Sequence, residues 1–497
     1  MSANDTDKPG PKAGRRRWLC VAYAFPPINR SGTHRTLGFV KHLDRLGWDA
    51  SVLTVSPRDE PLDESLIGEV PDSTNVVRTP WVDRIARVKG WLPGGSENVK
   101  TSKRQTRGVD VSIPARRDFD VSTRGFRDWF SRLLMTPDSR VGWIGPAVRA
   151  GLREIKRRRP EVLYSTSPYM SAHLIAKALS RRTGLPWVAD FRDPWTFNPF
   201  RRIPYSTLRR WDAWLERRVL RSASHVVFCT TRMTQEFVRR FPFLQGKCST
   251  IMNGFDAGLL EGIKPLRDAG RDRFVMTHCG QFYGGRNPAV WFAALRRALK
   301  DAPSLAEKVV VQLIGPTTFD GKSLEELAAF HGLADVVRVL GPKSHAESLG
   351  YMAGSDALML AASDGPGGEL QVPNKLFEYL TIKRPIIATC AHGNPTIDIL
   401  AEAEAQAVVC EPGDERALAD AIAGLALRGP DEPTESACRP TRAWSGVHRF
   451  DRAHRAAELA NVFERLVGGT SEECIVKSEE LLVKTGCHHP SLITLHS

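Results

Sequence analysis

The stretch WLCVAYAFPPINRSGTHRTLGFVKHLDRLGWDASVLTV, Trp18 to Val55, decides the fold. Its opening is apolar, FPPINRSG is rich in turn formers, and Leu37, Val40, Leu43 and Leu46 recur at the spacing of one helix face. Gly47 supplies a stop, and Ala50 to Val55 reads as a short β-rich run. Strand, helix, strand is a βαβ unit, and such a unit implies a parallel sheet.

The same alternation recurs outward from it. EVLYSTSP precedes the helical SAHLIAKALSRRTG, then come LPWVADF, SHVVFCTT and TRMTQEFVRRF. After CSTIMNGFD, whose Asn253-Gly254 marks a turn, the pattern restarts with FVMTHCG, a helix near Pro288 to Leu299, KVVVQLIG, VVRVLG, a helix near Ala346 to Met352, DALMLAA and RPIIATC. The predicted organisation is a disordered basic N-terminus over 1–16, a Rossmann-like domain over 17–248 and a second over 249–430. A linker and a long amphipathic helix, Arg449 to Val467, occupy 431–468, and the tail 469–497 is given no role. The polar, basic piece at about 94–117 reads as a mobile insertion.

Lys and Arg number 70 against 56 Asp and Glu, a formal charge of +14, which favours anionic partners. Nine cysteines stand singly with no C-x-x-C pair, arguing against a zinc module or a disulfide framework and for a reducing compartment. Cys487-His488-His489 has no further ligand at metal spacing. The first residues, MSANDTDKPGPKAGRRRW, lack the apolar core of a signal peptide, and no apolar run reaches the roughly 18 residues of a spanning helix.

Doubly wound domains bind ligands at the carboxyl ends of their strands, so the strand-to-helix loops are where chemistry is sought. THCGQFYGGRNPAV places Gly280, Gly284, Gly285 and Arg286 before a helix, with Asn287 as N-cap and Pro288 at the first helical position. Amides, helix dipole and guanidinium there suit a phosphate; the alternative is a surface turn with a solvated arginine. VPNKLFEYLTIKRPIIAT, Val372 to Thr389, carries Glu378 within an apolar run, where an unpaired carboxylate would cost several kcal/mol. Asn374 and Lys375 at the helix start can approach an anion, and Glu378 can accept hydrogen bonds from a cis-diol such as a ribose; the alternative is a pairing with Lys383 or Arg384. Gly32, in FPPINRSGTHR, permits close backbone approach to a ligand. ADFRDPW sets Asp190, Arg192, Asp193 and Trp195 at a strand end, either as the rim of a site or as an internal Arg–Asp pair. STLRRWDAWLERRVLR and GFRDWFSRLL mix tryptophan with arginine, as helices on an anionic membrane do, although core helices with a basic face share that composition.

Taken together, FPPINRSGTHR, STSPYMSAHLIAKAL, PWVADFRDPW, IMNGFD, GQFYGGR, VPNKLFEYLTIKRPIIA and the late helix resemble, in order and spacing, the retaining glycosyltransferases of family 4 from about Trp18 to Val467. The resemblance implies an α/β chain of GT-B fold, two facing Rossmann-like doubly wound domains with a C-terminal crossover helix. It implies a nucleotide-diphosphate sugar bound mainly by the second domain, an acceptor bound mainly by the first, and no metal or other cofactor. Glu378 matches the second acid of the family's E-x7-E pattern, which contacts the donor ribose. The first acid falls at Leu370, with Glu369 one place off, and the family's Arg and Lys after the strand-end glycine fall at Gln281 and Arg286. By this match Arg286 and Lys375 are the expected catalytic cations, and Gly32, Gly285, Asn374, Leu376, Glu378 and Glu369 complete the donor site. Asp190, Arg192 and Asp193 are expected to orient the acceptor.

The resulting expectation is a cytoplasmic enzyme, peripheral to the inner face of a membrane, that moves a sugar to a lipid-linked or polysaccharide acceptor. The alternatives are a GT-B nucleotide-sugar epimerase and a non-catalytic basic scaffold or nucleic-acid-binding protein. Against nucleic acid, the arginines are spread over both domains with no RNP, KH or zinc pattern.

Overall fold

A computed structural model describes residues 14–58, 60–83, 126–198, 201, 203–270, 272–362, 368–428 and 444–468. The insertion at about 94–117, the tail and its Cys487-His488-His489 lie outside these residues. So does the N-terminus up to residue 13. The predicted disordered start ends too late: strand β1 begins at Arg16, and Arg15 is tied at 2.6 Å to both Asp44 and Asp49, which fixes that end of the chain.

The first domain runs β1 (Arg16–Ala22), α1 (Ser31–Arg45), β2 (Trp48–Val55), β3 (Asn75–Thr79), α2 (Phe126–Leu134), α3 (Ile144–Arg158), β4 (Val162–Thr166), α4 (Ser171–Thr183), β5 (Trp187–Phe191), α5 (Ser206–Ser222), β6 (His225–Phe228), α6 (Thr231–Arg240) and β7 (Cys248–Thr250). Its sheet is parallel, in the order β3-β2-β1-β4-β5-β6-β7. Every residue of β2 is buried, because helices cover both faces of such a sheet, and this is why its sequence reads as a continuous rather than an alternating run. Gly47 ends the α1 connection in the left-handed region, φ +86°.

The second domain runs β8 (Phe274–Cys279), α7 (Pro288–Asp301), α8 (Leu305–Lys308), β9 (Val309–Ile314), the two-residue strands β10 (Thr318–Phe319) and β11 (Lys322–Ser323), α9 (Leu324–Phe330), β12 (Val337–Gly341), α10 (His345–Ala353), β13 (Ala357–Ala361), α11 (Lys375–Ile382), β14 (Ile386–Thr389), α12 (Pro395–Glu402), β15 (Ala407–Cys410) and α13 (Glu415–Arg428). Its sheet is also parallel, in the order β12-β9-β8-β13-β14-β15.

The last helix, α14 (Arg452–Val467), crosses back and packs against the first domain. Its Ala456, Leu459, Val462 and Phe463 share a core with Trp18, Phe39, Trp48 and Tyr164, and Phe463 lies 5.5 Å from the Trp18 ring. The two passes between domains run side by side: Phe255 donates to the Phe450 carbonyl at 3.1 Å and Arg452 to the Phe255 carbonyl at 2.8 Å. Gly254 permits this, since a Cβ there would sit 2.3 Å from the Phe450 oxygen.

Candidate active site

Gly280 ends β8 with φ +143°, and its amide donates to Ile314 O at 2.8 Å. Gly315 ends β9 with φ +137°, and a Cβ on it would lie 2.4 Å from Gly280 O. Two strand ends thus meet backbone to backbone, and side chains at either position would part them. The chain then turns through Gly284 and Gly285, the turn closed by Arg286 N donating to Tyr283 O at 3.0 Å. Asn287 caps α7, accepting from Ala289 N at 2.9 Å, with Pro288 next, as the spacing predicts.

Arg286 lies over the Tyr283 ring at 4.7 Å, and its Nε is buried with no hydrogen-bond partner among the described residues. Lys375, the first residue of α11, reaches the same volume: its Cγ is 4.0 Å from where a Gly280 Cβ would be. His278 stands against both. It stacks on Phe282 at 4.1 Å, and its Nδ1 donates to Met359 O at 3.1 Å. Burial first, and then Arg286 and Lys375, push its pKa down to about 4, so it is neutral at physiological pH.

Glu378, one turn into α11, accepts from Lys375 Nζ at 2.8 Å and lies 3.6 Å from His345 Nε2 at the start of α10. The pairing with Lys383 or Arg384 does not form. Lys383 closes the helix in the left-handed region, φ +57°, and Arg384 donates to Ala353 O. Burial opposes ionisation of Glu378, but Lys375 and His345 outweigh it and hold the carboxyl below the usual range. Its side chain is 21% exposed, so the pair remains within reach of a ligand. Glu378, His345 and Asn374 line a cavity of about 610 Å³ with His34, Arg35 and Arg452 of the other wall. That volume is in the range of small-molecule sites. His34 and His345 face each other across the domains, ring centres 5.9 Å apart.

In the first domain Asp190 is fully buried and receives four hydrogen bonds: from Arg35 Nε (2.9 Å) and Nη2 (2.8 Å), Tyr164 Oη (2.7 Å) and Thr166 Oγ1 (2.7 Å). The expected contact with an acceptor is corrected, because the side chain is fully buried and Oδ2 alone takes three of these four bonds. Arg35 instead carries Asp190's hold across the hinge, donating to Ile251 O, Met252 O and Asn253 Oδ1 at 2.8, 3.0 and 3.0 Å. Asn253 Nδ2 then donates to Asn374 Oδ1 at 2.8 Å, reaching the start of α11. Arg192 is buried. Its backbone amide donates to Ser167 Oγ at 3.1 Å, and its Nη1 lies 3.0 Å from a Cβ position on Gly32, so Gly32 accommodates a side chain of its own domain. Asp193 follows it, half-buried.

Two further expected donor contacts are corrected or displaced. The Leu376 side chain is fully buried in the core beside Phe450 and its amide donates to Pro373 O, so it offers nothing to a ligand. Glu369 is exposed on a short turn, while Leu370 is 7% exposed and packs into the core of the first domain. The Leu370 carbonyl accepts from Thr230 Oγ1 at 3.1 Å, the residue that caps α6. Sequence reasoning did not anticipate Arg35, Asn253, His34 or His345. A usable signal existed for His345: Ser344-x-x-Glu347 is a capping box, formed at 3.2 and 3.0 Å, that fixes where α10 starts. Among the described residues no group of three or more His, Cys, Asp or Glu side chains could hold a metal ion, and no helix is long and apolar enough to cross a membrane.

Residues 32–254 match the family model described as Glycosyl transferase 4-like domain, and residues 276–427 match Glycosyl transferases group 1. A D-inositol 3-phosphate glycosyltransferase of Streptosporangium roseum is 24% identical over 154 residues, 29% of this chain and 35% of that protein. The match therefore spans about a third of the length of that curated relative. Among solved structures, a glycosyltransferase of Rickettsia africae superposes with a TM-score of 0.57 at 13% identity, covering 92% of this chain and 100% of the other. A sucrose-phosphate synthase of Thermosynechococcus elongatus gives 0.56 at 15% identity, covering 91% and 99%. A structure from E. coli described as trehalose-6-phosphate bound with UDP-2-fluoro glucose gives 0.52 at 12%, covering 95% and 100%. Their likeness is one of fold.

Proposed function

We propose, from the premise that this chain is a glycosyltransferase of the GT-B fold, that it transfers a sugar from a nucleotide-diphosphate sugar to a lipid-linked or polysaccharide acceptor with retention of anomeric configuration. The observation that carries the reading is the convergence of Arg286, with its buried unpartnered Nε, and Lys375 on the glycine turn at the end of β8. Two cations beside a backbone that no side chain crowds suit a diphosphate.

In the proposed reaction the bond from the anomeric carbon to the diphosphate oxygen breaks, the acceptor hydroxyl oxygen bonds to that carbon, and the hydroxyl proton passes to the leaving diphosphate. Charge grows on the diphosphate, and groups held in place beforehand stabilise it without reorganisation. Glu378, held ionised by Lys375 and His345, accepts hydrogen bonds from the ribose diol. The Arg192 and Asp193 segment faces the acceptor side. No metal has a role.

A thermal-shift panel of UDP, GDP, ADP, TDP and their sugars on wild type and Glu378→Ala tests the donor. A nucleotide at a hundred times its Kd adds about 2.7 kcal/mol of stability. One nucleotide family is expected to stabilise wild type and to lose most of that effect in the variant. No stabilisation by any of them at millimolar concentration would overturn the donor assignment, and an inverted anomer in the product would overturn retention. Product formed without acceptor would favour the epimerase.

A further inference from the structure

Helix α5 sorts its charges by side. Its two acids, Asp212 and Glu216, are turned inward and fully committed: Asp212 accepts from Trp195 Nε1 at 3.0 Å and from Arg201, and Glu216 accepts from Thr196 N and Oγ1. Four of its arginines, Arg210, Arg217, Arg218 and Arg221, face outward and form no ion pair with a described residue; Arg217 and Arg221 lie over the Phe243 ring, and Arg209 instead donates to the Ile203 and Pro204 carbonyls at the helix start. Between them Trp211 and Trp214 are each 44% exposed and stacked at 4.7 Å. Arg218 lies 4.7 Å from the Trp214 ring.

The face continues onto neighbouring helices. Trp129 Nε1 donates to Thr207 Oγ1 at 3.1 Å and Tyr205 Oη to Asp128 at 2.9 Å, fastening α2 to the start of α5 and setting exposed Phe130 nearby. From α4, Lys177 and Arg181 join the arginines. Burial, then repulsion from Arg218 and Arg181, lowers the Lys177 pKa, as expected where cations crowd together.

An ordinary water-facing helix interleaves acids with bases, and unpaired like charges beside exposed indoles gain nothing from water. A surface offering both phosphates and an apolar boundary satisfies both: arginines reach anionic headgroups while tryptophans enter the interfacial layer. We propose that the outward face of α5, extended by α2 and α4, docks this chain on an anionic phospholipid bilayer. Exposed indoles stacked on each other beside the cations, rather than spaced to receive successive bases, favour a membrane over a nucleic acid strand. Because α5 leaves the carboxyl end of β5, Trp211 and Trp214, in its first half, lie toward the end where the strand-to-helix loops open. The docked chain would present that end to molecules held in the bilayer. The proposal uses none of the donor residues and stands independently of that reading.

The test is sedimentation of the full chain with vesicles of phosphatidylcholine alone or mixed with phosphatidylglycerol. Wild type is expected to sediment with the mixed vesicles only, less so in high salt, with a blue shift of tryptophan emission. Trp211→Ala/Trp214→Ala should abolish the blue shift and most binding. Arg217→Glu/Arg218→Glu should weaken binding on the order of thirtyfold or more, since each arginine near such a surface contributes about fivefold. Unchanged thermal unfolding and nucleotide response in both variants would show that they remain folded. Wild type left in the supernatant with anionic vesicles, variants that bind like wild type, or a patch that binds an oligonucleotide or a second copy of the chain instead of vesicles would each overturn the proposal. Failure here leaves the donor experiment unaffected.

Discussion

Glu378 shows how a carboxylate stays charged on an apolar helix and remains open to a ligand. Lys375, three residues before it, sits on the same face, and His345 approaches from the next helix. Arg286 is different: its Nε has no partner among the described residues, so truncating it leaves little to collapse. Arg286→Ala is expected to lower kcat by about a hundredfold or more with the melting temperature unchanged, measured by product formation beside thermal unfolding. The local arrangement was legible in the sequence because a glycine turn, an arginine and an N-cap follow one another within a few residues. Asp190 was misread for the converse reason. Its partners come from α1 and β4, and a polar residue at a strand end looks the same whether its partners lie within the domain or beyond it.

At the level of elements, Asp190, Arg35, Asn253 and Asn374 tie the end of β5, the first turns of α1, the hinge and the start of α11 into one line of hydrogen bonds. Removing one member of a buried, hydrogen-bonded ion pair leaves the other charge uncompensated and costs about 3–5 kcal/mol. Asp190→Ala is therefore expected to lose roughly that much stability in urea unfolding. A variant with normal stability and poor acceptor turnover would restore the acceptor role. Most strands were legible because parallel sheets bury both faces and write apolar runs between turn residues. The short strands β3 and β7, NVVRT and CST, carry too few apolar residues to declare themselves.

Across the whole molecule, His34, His173, His225, His278 and His454 are all acidified by burial, to about 4, 3, 4, 4 and 4. An unfolded histidine titrates near 6.5, so in the interval below that the unfolded chain binds more protons and stability falls as pH falls. Glu216 acts in the opposite direction. Its pKa is raised by burial to about 7, so its contribution is present below the ordinary carboxylate range and is lost as pH rises through about 7. Asp138, Asp451 and Glu458 are raised by burial and act with Glu216, but the histidines, joined by the lowered carboxyls Asp190, Asp256 and Glu378, outnumber them and predict a net loss of stability between about pH 6.5 and about pH 4, which unfolding midpoints across that range would measure. A flat profile would mean that these histidines are not neutral when folded. The closure of the two domains was not legible: Leu370 stands where the family resemblance places an acid, and only the fold shows it packed into the opposite domain's core.

The return of α14 has a consequence for synthesis. The helix completes the core around Trp18, Trp48 and Tyr164, yet it is more than four hundred residues downstream of Trp18. On the ribosome, the amino-terminal half would wait with those aromatics uncovered until that helix, Arg452–Val467, had emerged. A fragment cut at the hinge would inherit the same bare surface. Neither half of the polypeptide is therefore a self-sufficient unit, although each contains a complete sheet.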